Sequence, residues 1–344
     1  MTESSGSNAP TSRLHLGILE VRGAAAAGPV THKSSQKTQM TTKLTLSGDF
    51  THPDLDSLCH ELRNLRGWSA GEPSPRLDLS KLSALEPTTM AVLLASICQL
   101  DSHGNFDPFE DVVPPEGEGS PRCLSPKILE KLLDGVGHWQ EGSGDEAETI
   151  GCEVFAGHAG IDRVTGILKE KLTVHTDWSA SSLRDFSVMA FELAENVVQH
   201  SATRRGVAVL RIRPAEKRVN LAIADSGIGV RESLVNNPDY RDIADDLKAI
   251  TVSMGAKASA EPGTGGGMGL YFSRLLVRGN GGTFLIRSGS ACREEGDLPV
   301  DSTQLPHLSG TLIAVEVRTD LPVEYASQGN AKTGLGAPKA GLRV

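Results

Sequence analysis

Cysteine is scarce in this chain and never paired in sequence. Cys59, Cys98, Cys123, Cys152 and Cys292 are scattered, odd in number, and no CxxC occurs. That spacing argues against a disulfide framework and a zinc site, and a reducing cytoplasm is the expected setting. Long apolar runs are missing too: none approaches the ~20 residues of a spanning helix, so no membrane partner is expected. The N-terminus has no basic start followed by an apolar core, so no secretory leader is expected. Positive charge is short as well. The net charge is −9, which argues against a general nucleic-acid binder.

What is present is a long, ordinary globular composition. The 344 residues are 38% apolar and 22% charged, enough for two domains with real cores. The charge is uneven. Residues 101–149 hold twelve acidic and three basic side chains, so this stretch alone carries a surplus as large as the whole chain's. It is rich in Gly and Pro, contains one helical pattern ("SPKILEKLLDGV") and otherwise reads as a long loop or a decorated continuation of the first unit.

Four segments are expected. Residues 1–40, rich in Ser, Thr, Ala and Gly, read as a flexible arm, and 321–344 read as a flexible tail. Residues 41–149 form a first unit. It opens with the alternating strand "KLTLSGDF", followed by a helix with Leu55, Leu58, Leu62 and Leu65 on one face. Residues 150–320 form a second unit. There "WSASSLRDFSVMAFELAENVVQHSA" places Leu183, Phe186, Ala190, Leu193 and Val197 at 3-4-3-4 spacing, an amphipathic helix with a Ser/Thr-type start. "GVAVLRIR", "PAEK" and "RVNLAIAD" read as strand, turn and strand, and "GNGGTFLIRSGS" and "SGTLIAVEV" as two more strands. The fold class expected is α+β, a two-layer sandwich with one sheet face covered by helices.

Three motifs in the second unit carry chemistry. "ELAENVVQHS" sets Glu192, Asn196 and His200 one turn apart on a polar stripe beside the apolar face. "IADSGIGV" ends a strand in Asp225, a carboxylate able to accept from an exocyclic amine, and follows it with Gly227 and Gly229. "GTGGGMGLYFSRLLV" crowds Gly265, Gly267 and Gly269 before a helix, an arrangement that offers backbone N–H groups to phosphate. No Walker A lysine follows the glycines, and no parallel βαβ unit surrounds them.

In order and spacing these motifs resemble the N, G1 and G2 boxes of the GHKL ATP-binding family, which includes gyrase B-type ATPases, MutL, histidine kinases and anti-sigma-factor serine kinases. The resemblance implies a Bergerat-type ATP-binding fold over 150–320, with ATP and Mg²⁺ as cofactors. It implies that Asn196 is the metal ligand, that Glu192 is the base for water or a hydroxyl, and that Asp225 reads adenine. By the same resemblance Gly227 and Gly229 shape the adenine pocket, Gly265, Gly267 and Gly269 cradle phosphate, and Thr311 supports adenine through water. His200 is assigned helix-end hydrogen bonding. Residues 231–262 correspond to the lid, with Arg241, Lys248 and Lys257 as candidate phosphate contacts. Residues 288–308 read as a further insert.

The first unit resembles the STAS domain of anti-sigma-factor antagonists at "LDLSKLSALEPTTMAVLL". Thr88 falls where the phosphorylated serine would sit and Glu86 at the acidic position; Pro87 and Thr89 depart from the pattern. The function expected is a Mg-ATP-dependent regulatory protein, either a Ser/Thr kinase-like enzyme or a slow ATPase switch. The alternative is a non-catalytic ATP/ADP sensor. The expected partner is a protein, as regulator or phosphoacceptor, or a second copy of the chain.

Overall fold

The computed structural model describes residues 43–50, 55–62, 75–102, 106–116, 124–142, 148–256, 267–296 and 299–325. The expected arm, Gly265, Lys257, Leu65 and the tail beyond residue 325 lie outside them.

The chain opens with β1 (Lys43–Phe50), α1 (Leu55–Leu62), β2 (Arg76–Leu85), α2 (Pro87–Ser102), α3 (Pro108–Asp111), β3 (Val112–Val113) and α4 (Pro126–Leu133). Strands β1, β2 and β3 form a small parallel sheet in that order. Next come β4 (His138–Glu141), β5 (Thr149–Ala156), α5 (Gly157–His175), α6 (Ala180–His200), β6 (Arg205–Arg213) and β7 (Arg218–Ala224). The remainder is α7 (Gly229–Val235), α8 (Asp246–Ser253), α9 (Gly269–Gly279), β8 (Thr283–Gly289), β9 (Ala291–Glu295), β10 (Val300–Ser302) and β11 (Leu308–Arg318). Strands β4 to β11 make one eight-stranded antiparallel sheet, ordered β10-β9-β8-β11-β7-β6-β5-β4.

Period-2 alternation explains how the sheet is used. On one face Leu210, Ile223, Ile286 and Ile313 pack with Phe186, Met189 and Leu193 of α6. The intervening residues Val207, Val209, Ala222, Ala224 and Leu312 point the other way, into a core shared with α2. Helix α2 is apolar around its whole circumference, with Met90 to Ala95 and Ile97 buried. A helix of that kind needs burial on all sides, which the parallel sheet and the back of the large sheet provide. The expectation of helices on only one face is therefore corrected: both faces are covered. Alanines at 222 and 224 let α2 approach closely.

Arginines of the large sheet grip acidic groups of the first unit. Arg205 pairs with Asp101 at 2.9 Å, Arg211 with Glu86 at 2.8 Å, and Arg287 with Asp56. Arg211 also holds Glu148 at 2.7 Å.

The acidic stretch 101–149 is more structured than the loop expected from its composition. It supplies α3, β3, α4 and β4, and β4 pairs with β5 so that the large sheet reaches back to His138. The insert 288–308 holds β9 and β10, which prolong the sheet past β8. Residues 321–325, expected to be a loose tail, are an ordered strap: Val323 is fully buried and its N–H donates to Ser182 Oγ at 3.2 Å. Among the described residues no helix is long and apolar enough to cross a membrane.

Candidate functional site

Helix α6 begins where Ser179 Oγ accepts the N–H of Ser182 at 3.1 Å, the expected Ser-type cap. Its 21 residues carry Glu192, Asn196 and His200 to one wall of an open cavity of about 310 Å³. Leu193 and Val197 anchor that wall in the core. Asp225, Gly229, Gly267, Gly269 and Thr311 line the same cavity. The structure thus gathers most of the expected site residues, and it adds Glu195, Gln199, Ser201 and Ser233 to the lining. His200, assigned only a helix-end role from sequence, is a lining residue as well.

Asp225 stands just past the end of β7, and its backbone N–H still donates to Thr311 O at 3.0 Å. Its carboxylate Oδ1 accepts the N–H of Gly227 at 2.7 Å, closing a tight turn. Only 4% of Asp225 is exposed. Burial pushes its carboxyl up to about 7, against the opposing pull of the Gly227 and Thr311 backbone hydrogen bonds.

Two glycines are required here by close approach. A Cβ on Gly227 would lie 1.8 Å from Ser201 O, because this turn packs on the end of α6, where Ile228 N–H donates to the same oxygen at 3.1 Å. Gly310 has φ +76°, and a Cβ there would lie 2.1 Å from Asp225 O. Gly310 O accepts from Ser288 Oγ at 2.8 Å, and Ser288 Oγ accepts from Val230 N–H at 2.9 Å. Ser288 and Gly310 thus clamp the Asp225 loop from β8 and β11. The sequence reading missed both. The glycine directly before Thr311 was the available signal; Ser288 has none, since it looks like any strand serine.

Gly227 is not itself among the cavity's lining residues; it shapes the loop from behind. Gly267 has φ +82° and precedes α9, whose first residue is Gly269. Glu192 leans on Gly269 and is half-buried. Burial first, then the like charge of Glu195, raises its pKa. The Asn196 side-chain nitrogen is buried without a hydrogen-bond partner among the described residues. Arg241 and Lys248 are exposed and are not part of the cavity wall.

The described part of the 231–262 segment, up to residue 256, is a packed piece. Leu234, Ile243 and Ala249 form its own small core, and Ser290 N–H donates to Asp246 Oδ2 at 2.8 Å, tying α8 to the β8–β9 turn.

A buried carboxylate held by backbone N–H groups, an amide nitrogen without a partner and glycines at a helix start are groups that could hold a purine nucleotide and its phosphates. An antiparallel sheet with α5, α6 and α9 on one face is the matching scaffold. Residues 183–318 match the family model of histidine kinase-, DNA gyrase B-, and HSP90-like ATPases. This part of the chain is therefore an ATPase domain of the GHKL superfamily, a domain type that binds ATP. No curated protein and no solved structure matches the chain.

The residues present fit Mg-ATP. The cavity has the volume of a small-ligand site. Asp225 lines the cavity with a carboxylate that can accept from a base amine, and Asn196 lines it with an amide whose oxygen could ligate a hard cation while its unpartnered nitrogen could donate to a phosphate. Among the described residues no group of three His, Cys, Asp or Glu could hold a metal ion. A cation there would depend on phosphate oxygens for the rest of its shell, which suits Mg²⁺.

Proposed function

We propose that this protein is a Mg-ATP-dependent regulatory switch in which Glu192 acts as the base for phosphoryl transfer to water or to a protein hydroxyl. The observation that carries the reading is the position of Glu192: on the cavity wall, one turn before Asn196, half-buried, with its pKa raised by that burial. A carboxylate with a raised pKa takes a proton more readily near neutral pH. Asn196 would hold Mg²⁺ through its side-chain oxygen, Asp225 would fix the adenine amine, and the α9 start would face the phosphates. Mg-ATP would supply the transferable γ-phosphoryl with part of its charge neutralised. Glu192 would remove the proton of the attacking O–H.

The partner proposed is a protein of the cytoplasm, as regulator or phosphoacceptor. The STAS-like reading of the first unit belongs to this proposal. Thr88 itself is a poor acceptor in the arrangement described. It sits in the first turn of α2, behind the sheet, and its hydroxyl is buried. A hydroxyl of another molecule is the acceptor we favour.

One observation favours a second reading, a sensor without turnover. Strand β7 turns Ile223 toward the cavity while Ala222 and Ala224 touch the core of α2. A nucleotide against Asp225 is thus one residue away from the first unit. Incubation with γ-labelled ATP and Mg²⁺ separates the readings. Free phosphate or labelled Ser/Thr, lost in Glu192→Ala with ATP binding retained, supports the switch. Tight ATP binding with neither product, unchanged by Glu192→Ala, supports the sensor.

A further inference from the structure

Beyond β11 the chain crosses back over α9 and α6, and buried polar groups hold it there. Asn280 is 1% exposed; its Nδ2 donates to the carbonyls of Arg318, Leu321 and Pro322 at 3.0–3.2 Å, and its Oδ1 accepts from Arg318 N–H at 2.7 Å. Ser182 accepts from Val323 N–H at 3.2 Å, and Asp185 Oδ2 accepts from Tyr325 N–H at 2.9 Å. Ser182 and Asp185 are themselves buried. Polar groups placed inside a core need such partners, so these three side chains are committed to the strap.

What the strap delivers is the ring of Tyr325. It packs edge-on against Phe272, with centroids 6.1 Å apart and planes at 89°. Its hydroxyl is buried and has no hydrogen-bond partner among the described residues. An unpaired buried hydroxyl costs roughly 1–3 kcal/mol, and phenylalanine would fill the same space without it. Such a group calls for a role.

Its surroundings point to one. Gly269 and Phe272 lie three residues apart on α9 and share a face. The Glu192 carboxylate rests on the first, and the Tyr325 ring rests on the second. Burial, then the negative charges of Glu192 and Asp185, push the phenol's pKa up. Of those two carboxylates, Asp185 is already taken by Tyr325 N–H and by Arg184 Nε at 3.0 Å. Glu192 is uncommitted among the described residues.

We propose that Tyr325 is a positioning residue for Glu192. Its O–H donates to one carboxylate oxygen when Glu192 turns to meet bound nucleotide, leaving the other oxygen for the attacking hydroxyl. A base pinned by one donor keeps a single productive orientation. This rests on the reading of Glu192 as the base.

The test uses the full chain with Tyr325→Phe, Glu192→Gln and the double variant. Tyr325→Phe keeps the ring and removes only the donor. Expected are a kcat lower by about tenfold, an unchanged KM and ATP Kd, a melting temperature equal or higher, and no further loss in the Glu192→Gln background. A wild-type kcat in Tyr325→Phe overturns the proposal. So does an equal loss on top of Glu192→Gln, or a loss that comes with a fall in melting temperature. If the wild type turns over no ATP, or Glu192→Gln turns over normally, the base reading fails instead. The positioning is then read from melting of the three variants with ATP bound. Non-additive shifts support the Tyr325–Glu192 contact, and additive shifts overturn it.

Discussion

The carboxylate of Glu192 occupies the space that a side chain at Gly269 would need. A Cβ there would lie 2.6 Å from Oε2 and 3.2 Å from Cβ of Glu192. A glycine as the first residue of α9 therefore leaves room for the α6 stripe. Gly269→Ala should push Glu192 out of place. Alanine is the better helix former by about 1 kcal/mol, so the melting temperature should hold while turnover falls by about tenfold or more. Steady-state kinetics beside a thermal melt would check this; a simultaneous loss of fold would argue against it.

Asp225 should give the protein a distinctive pH response. Its carboxyl is raised from 3.8 to about 7 by burial, so the folded protein keeps a proton that the unfolded chain releases well below neutrality. The stability it contributes is full below its unfolded pKa and is lost as pH rises through about 7. Asp225→Asn should flatten the slope of melting temperature between about pH 5 and 8 relative to wild type. Because a base amine is a donor, nucleotide binding should favour the ionised form and release the proton. The same variant should weaken ATP by about 10- to 100-fold in calorimetry.

As the proposed Mg²⁺ ligand through its side-chain oxygen, Asn196 should matter most when the cation is present. Asn196→Ala is expected to weaken ATP binding by about tenfold or more with Mg²⁺ and by much less in EDTA. Equal losses in both conditions would place Asn196 on the nucleotide instead of the metal. Removing an amide that lacks a partner for its nitrogen should leave the fold intact.

The contact between α2 and β7 depends on small side chains. Ala222 is fully buried in the shared core, and Ala222→Leu should overpack it at a cost of about 1–3 kcal/mol. Chemical denaturation would measure the loss. If the first unit senses the nucleotide through β7, ATP should also stabilise this variant less than it does the wild type. Unchanged stabilisation by ATP would argue against that coupling.

Legibility differed from element to element. Helix α6, the β6–β7 hairpin, β8 and β11 all fall where apolar spacing put them, since each has a strong local period and a clear turn or cap at its ends. Helix α5 went unread although Ile161, Val164, Leu168 and Leu172 form its buried face. Three glycines, at 157, 160 and 166, dilute the signal. In the site, Glu192, Asn196, Asp225, Gly229, Gly267, Gly269 and Thr311 are expected from sequence and share one cavity. All but Thr311 sit in three short motifs whose order carries the family resemblance, and Thr311 follows from that resemblance alone.

The sequence by itself determined the local units: a helix with a polar stripe beside its apolar face, a strand ending in a carboxylate, and glycines before a helix. These depend on contacts within one or two turns of chain, which periodicity records. Only the tertiary structure decided that α2 covers the back of the large sheet, that Ser288 and Gly310 clamp the Asp225 loop, and that Tyr325 is strapped against Phe272, one turn of α9 from the glycine on which Glu192 leans. Those relationships join residues tens to more than a hundred positions apart. A serine, an alanine or a tyrosine leaves the same mark in sequence whether or not such a partner awaits it, because packing acts through space and not along the chain.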